Sequence, residues 1–292
     1  MIRIINQGGL GNQLFIWSAA HYYQELFDDK VVIYFGTAHS NKDLDGNTIS
    51  PLVRFCTHNI EVKTKNTRLI HLLLKFFDKY NFYFPNLFRK FKKFLRIIDI
   101  DNPVAFPDQP MFKPRVIRGF FQSGEMVWKM RIMLLKEIMT LTETLTLTIE
   151  KQKLNLETTR YQAMHVRRGD YVENQDQYGL LNACYYKKNL LKNDICLIAS
   201  DSEEAIGLMN VVIPNSRFLS SSVFNPWETF SILSNAKHLI TANSTFSWWA
   251  GLIVLTQGGT VVAPKPWFKN IDVDKKYLNV PGLTFSVSEF TN

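Results

Sequence analysis

Acidic residues are scarce in this sequence, cysteine is nearly missing, and no long apolar run is present. Its 292 residues hold 26 Asp and Glu against 34 Lys and Arg, a formal net charge of +8. Cys56, Cys184 and Cys196 are odd in number, scattered and in no CxxC arrangement. They read as reduced core residues, which excludes a disulfide framework or a cysteine metal site. The most apolar stretch, Trp248 to Leu255, falls far short of the roughly 20 residues a membrane-spanning helix needs. The opening MIRIINQGGLGNQLF lacks the apolar stretch and cleavage site of a secretory signal, so a cytoplasmic protein is expected. With 46% apolar and 21% charged residues, the chain has an ordinary globular composition and can bury a real core.

The positive excess is local. Arg68 to Arg96 holds eight basic residues against Asp78 alone, interleaved with aromatics in KFFDKYNFYFPNLFRKFKKFLRII. One reading is a pair of helices with a solvated basic face. The other is a surface in peripheral contact with anionic membrane, since a basic amphipathic helix with Phe on its other face suits an interface.

The chain alternates strand-like and helix-like stretches. IRIIN (2–6), VVIYF (31–35) and RVIRGFF (115–121) read as strands, with helices over 12–27 and 125–139. Residues 36–114 break the pattern and read as an insertion holding the basic helices. A domain boundary is expected near 155, giving an N-terminal domain 1–155 and a C-terminal domain 156–292. Beyond it strands fit 161–166, 195–200, 217–220, 238–242 and 260–263, and helices fit 183–193, 202–209, 226–236 and 245–256. Strands separated by single helices imply a parallel, doubly wound sheet. Such sheets bind ligands beyond the carboxyl ends of their strands.

Three strand-to-helix loops stand out. NQGGLGNQLF (6–15) joins a strand to a helix through glycines, which let backbone approach a phosphate closely. It lacks the third glycine of a dinucleotide fingerprint, and no acidic residue ends the second strand, so a NAD site is disfavoured. Asn12 and Gln13 offer amides to a ligand's hydroxyls. MHVRRGDY (164–171) places His165, Arg167, Arg168 and Asp170 where a strand runs out. An arginine fork holds phosphate bidentately, so one arginine suits an anionic ligand while the other pairs with a carboxylate such as Asp170. In ANSTFSWWAGL (242–252), Asn243 or Ser244 can cap a helix whose start gathers Ser244, Thr245 and Ser247. That helix start is an anion site by geometry and dipole. Trp248 and Trp249 lead an apolar helix and are expected in the core.

GGLGNQLF, HVRRGDY and NSTFSWWAG, together with GFFQS (119–123) and IASDS (198–202), resemble in order and spacing the family-eleven glycosyltransferases, the α-1,2-fucosyltransferases. The resemblance spans almost the whole chain. It implies an α/β fold of GT-B type, two facing Rossmann-like domains with parallel sheets, the first on the acceptor side and the second binding GDP-β-L-fucose. It implies that Arg167 contacts the donor diphosphate, with His165 beside the nucleotide. The helix start (Asn243, Ser244, Thr245, Phe246 and Ser247) and the glycine loop (Gly11, Asn12 and Gln13) would close around phosphates and sugar. The implied acceptor is a galactose-terminated, lipid-linked glycan, with no cofactor. Distant relatives carry an aspartate for guanine where this chain has Lys237, so guanine recognition does not transfer.

Inverting transfer needs a carboxylate to take the acceptor's proton. Asp170, three residues past Arg167, is the first choice and Glu173 the second. Two other readings compete. A metal-dependent GT-A enzyme would use a DxD triplet, of which there are three: Asp43-Asp45, Asp99-Asp101 and Asp272-Asp274. A non-catalytic binder of membrane or RNA would account for the charge, but no RNA-binding motif is present, so no nucleic-acid partner is expected.

Overall fold

The computed structural model describes residues 1–6, 8–35, 59–63, 79, 85–99, 112–149, 161–192, 195–203, 205, 207, 209, 213, 216–273 and 277–291. They form two compact units, Met1–Arg131 and Ile132–Asn292. The division falls inside a long helix. The boundary expected near 155 lies outside the described residues.

In the first unit β1 (Ile2–Asn6) leads into α1 (Leu10–Phe27) and β2 (Val31–Phe35). Next come β3 (Ile60–Lys63), α2 (Pro85–Phe94), β4 (Ile97–Asp99) and β5 (Val116–Arg118). These strands build one parallel sheet in the order β3-β2-β1-β5-β4. Segment 36–114 is therefore more than the helical insertion expected: it supplies both edge strands. Ile2, Ile4 and Ile5 of β1 are buried, as a strand covered on both faces requires.

Helix α3 (Gly124–Ile149) runs ten residues beyond the 139 expected from the sequence. Its second half, TLTETLTLTI, is rich in β-branched threonine, which weakens helix propensity and hides the period. That half lies within the second unit, and the Ser231 hydroxyl donates to its Thr142 carbonyl at 2.5 Å.

The second unit contains β6 (Gln162–Val166), a 3-10 turn at Gly169–Tyr171, α4 (Gln175–Tyr178), α5 (Ala183–Lys188) and β7 (Cys196–Ser200). It continues through β8 (Ser216–Leu219), α6 (Pro226–Ser234), β9 (His238–Ile240), α7 (Thr245–Thr256), β10 (Thr260–Lys265) and β11 (Leu283–Val287). The sheet is parallel, ordered β11-β10-β9-β6-β7-β8. Every residue of β6 is buried. Its one amide, Gln162, is satisfied by both backbone groups of Leu191 at 2.9 Å each, so the polar residue costs the core little.

Helix α6 is fixed by a capping box, Asn225 with Glu228. Helix α7 is apolar all round, and Trp248 and Trp249 lie in the core as expected, with the Trp248 indole donating to the Leu278 carbonyl at 2.7 Å. Cys196 is buried, whereas Cys184 lies exposed on α5, contrary to the reading that all three cysteines are core residues. Cys56 lies outside the described residues.

Candidate active site

Numbered within the second unit, the sheet order is 3-2-1-4-5-6, and the direction of winding reverses between β6 and β9. Ligands of open parallel sheets bind in the crevice at that reversal, outside the carboxyl ends. The two loops leaving these strands are RRGDY and ANSTF. Register fixes what else reaches them. Val166 pairs with Ser200, so Arg167 and Asp201 emerge side by side; Met164 pairs with Ile240, so Asn243 emerges on the other flank.

Arg167 lies between two carboxylates. Its Nη1 is 2.5 Å from Asp201 Oδ2, and its Nη2 donates to Asp170 Oδ1. The guanidinium carbon sits 5.2 Å from the centre of the Tyr171 ring. With Arg167 expected at the donor diphosphate, the other arginine of the pair, Arg168, is expected to meet a carboxylate such as Asp170. The structure gives that pairing to Arg167, because the 3-10 turn at Gly169–Tyr171 folds Asp170 back towards it. Asp201 is the residue that sequence reasoning missed. It also accepts the Arg168 backbone N–H at 2.7 Å.

Two other loops are tied to this one. The Tyr171 hydroxyl donates to the Asn243 carbonyl at 2.8 Å, and the Tyr171 ring stacks on Tyr178 at 4.8 Å. The Asn243 amide donates to the carbonyls of Tyr178 (2.9 Å) and Gly179 (3.1 Å). Asn243, expected at the donor, thus spends its amide on holding the loops. Ser244 occupies the N-cap position of α7 but makes no side-chain cap bond, and no acidic residue lies in the first turn. The first-turn amides have no intrahelical acceptor and carry the positive end of the helix dipole. Ser247 is buried and donates to the Ser244 carbonyl at 3.2 Å, while Thr245 and Phe246 are half-buried.

His165 is buried in β6, 5.3 Å from the Phe246 ring, and its Nδ1 has no hydrogen-bond partner among the described residues. Burial, helped by the nearby Arg167 charge, lowers its pKa to about 3. The imidazole is therefore neutral throughout the physiological range. Below pH 6.5 an unfolded chain takes up a proton that the folded site refuses, so stability should fall from there towards pH 3. The slope for one such group is at most about 1.4 kcal/mol per pH unit. His165→Gln should flatten the fall in melting temperature between pH 6.5 and 4.5, and an unchanged slope would remove His165 as its source.

In the first unit, Gly11, Asn12 and Gln13 lie in the first turn of α1, which starts two residues earlier than the sequence suggested. Gly8 makes the turn, with φ of +82°. Asn12 Oδ1 accepts from Gln122 Nε2 at 2.8 Å, joining the loop after β1 to the GFFQS segment after β5. The buried Gln13 instead donates to the Gly8 carbonyl at 3.2 Å and braces the turn.

Asp170 is exposed, as is Glu173 two residues past the 3-10 turn. Among the described residues no group of three or more His, Cys, Asp and Glu could hold a metal. Of the DxD triplets, Asp43-Asp45 lies outside the described residues, as do Asp101 and Asp274.

The family model described as Glycosyl transferase family 11 matches residues 1–277. An alpha-1,2-colitosyltransferase of Escherichia coli is 29% identical over 153 residues, 48% of this chain and 52% of the relative. That match therefore spans about half of the relative's length. The O-antigen biosynthesis glycosyltransferase WbnK of Escherichia coli is 22% identical over 293 residues, covering 89% of this chain and 93% of the relative. Among solved structures, the fucosyltransferase NodZ from Bradyrhizobium is similar with a TM-score of 0.50 at 12% identity, covering 87% of this chain and 93% of that one. The architecture, α/β with two parallel sheets, is of GT-B type.

Proposed function

Since this chain belongs to glycosyl transferase family 11, we propose that it moves L-fucose from GDP-β-L-fucose to the 2-hydroxyl of a terminal galactose on an O-antigen-type glycan precursor, with inversion. The observation that carries this reading is that Arg167 and the start of α7 follow the adjoining strands β6 and β9, at the reversal of the second sheet. The acceptor oxygen attacks the fucose C1, the bond from C1 to the diphosphate breaks, and the acceptor's proton passes to Asp170. Negative charge gathers on the leaving GDP. Arg167 and the amides of the α7 start stabilise it, supplying what a metal ion would otherwise provide. The relative named for O-antigen biosynthesis supports the glycan class.

The colitosyltransferase match favours a second reading in which the transferred sugar is colitose. A donor and acceptor screen separates the two, with linkage read by NMR and each reaction repeated in excess EDTA. GDP-fucose, a galactose-terminated acceptor and undiminished turnover in EDTA are expected. Preference for GDP-colitose would establish the second reading, and loss of activity restored by Mn²⁺ would return the DxD triplets to the active site.

A lipid-linked acceptor would hold the enzyme at a membrane surface. No helix among the described residues is long and apolar enough to cross one. Helix α2 offers a surface contact: Asn86, Arg89, Lys90 and Lys93 are exposed at helical spacing, and Phe94 beside them is 80% exposed. Each basic residue near anionic lipid contributes about 1 kcal/mol. Co-sedimentation with phosphatidylserine-containing vesicles should weaken with salt and with charge reversal at Lys90, Lys92 and Lys93. Binding that ignores salt, or none at all, would leave α2 a solvated face.

A further inference from the structure

The geometry points to Asp201 as a positioning residue for the Arg167 fork, an inference that rests on the proposed role of Arg167 at the donor diphosphate. Asp201 begins the loop after β7, and its two oxygens do different work. Oδ1 accepts the Arg168 backbone N–H at 2.7 Å, which fixes the path of the chain as it leaves β6. Oδ2 lies 2.5 Å from Arg167 Nη1, which fixes the plane and reach of the guanidinium. One carboxylate thus holds both the backbone and the side chain of the arginine loop.

The other carboxylate on Arg167 has a different character. The Asp170 side chain is 64% exposed, against 24% for Asp201, and belongs to the same short turn as Arg167. A diphosphate approaching the fork displaces the more exposed partner, while Asp201 stays tethered through Arg168. Donor binding then frees Asp170 to receive the acceptor's proton, and Asp201 keeps Arg167 aimed. Gly169 preserves this packing: a Cβ there would stand 2.4 Å from Asp201 Oδ2. An ordinary side chain at 169 would push the carboxylate off Arg167 without removing its charge.

Two variants separate this role from a purely structural one. In Asp201→Asn the amide oxygen still accepts the Arg168 N–H, but its NH₂ turns a donor towards the Arg167 donors. Gly169→Ala moves the native carboxylate. Both proteins should bind one equivalent of GDP by calorimetry, with affinity within a few-fold of the parent. Both should show kcat reduced at least about tenfold, because misplacing an aligned group costs turnover more than ground-state binding. In an Arg167→Ala background neither change should reduce turnover further, since the group being positioned is gone.

Near-parental kcat in a folded Asp201→Asn protein would overturn the assignment. So would a fall in GDP stoichiometry parallel to the fall in kcat, or an equal loss in the Arg167→Ala background. Should Asp201→Asn not fold, Gly169→Ala decides by the same criteria. The parent's own GDP titration tests the donor reading separately, so its failure is told apart from a failure of Asp201.

Discussion

Arg167→Ala should reduce fucosyl transfer by at least about two orders of magnitude in a protein that still folds. The guanidinium sits where β6 leaves the sheet, at the reversal of strand order, with the start of α7 on the adjacent strand. Losing one charged group that stabilises a developing diphosphate costs on the order of 3 kcal/mol or more of transition-state stabilisation. The change also leaves Asp170 and Asp201 without their cation, but both carboxylates reach solvent, so the folded state tolerates it. Arg167→Lys should recover little, because an ammonium cannot reproduce the planar fork. Arg168→Ala keeps the backbone N–H that Asp201 holds, so it should leave the Arg167 fork in place and act on folding more than on turnover. The check is kcat/KM for both arginine variants beside their circular dichroism. Near-normal turnover in folded Arg167→Ala would place the diphosphate elsewhere.

The second large effect is expected at Asp170. Asp170→Asn keeps shape and removes basicity, so turnover should fall about 100-fold or more while GDP affinity stays within a few-fold. The ion pair with Arg167 bears on this expectation in both directions. It shows that the loop carries the carboxylate onto the Arg167 guanidinium. It also means that Asp170, in the proposed role of base, has to leave Arg167 before it can act. If folding or GDP binding collapses in Asp170→Asn, the pair is structural and Glu173 becomes the base to test. Glu173→Gln should otherwise be close to parental.

Much of the second sheet was legible because its strands are short apolar runs separated by single amphipathic or apolar helices. β11 was missed although LTFSV alternates apolar and polar residues, because as an edge strand with no fully buried position it lacks the apolar run of its neighbours. The edge strands β3 and β4 of the first sheet span four and three residues in a stretch without regular alternation. The motif loops were correctly placed at strand ends, and their partnerships were not. Asp201 comes to Arg167 only through the register of β6 on β7, which no local pattern encodes. The signal available was that HV-R and AS-D end neighbouring strands at the same level. Gln13 and Asn243 look like ligand amides in the sequence because amides at a helix start are short of local partners. In the fold, carbonyls of their own or distant loops take them up.

The pairs that assemble these loops are remote along the chain. Tyr171 and Asn243 are 72 residues apart, and Asn12 and Gln122 are 110 apart. Chain entropy opposes such closures until the intervening strands have found their neighbours. The link between the Arg167 loop and the loop before α7 therefore forms only once β6 and β9 are paired. The proposed donor site should accordingly appear and vanish with the completed sheet, and a chain that still fluctuates around β6 and β9 should not hold a diphosphate.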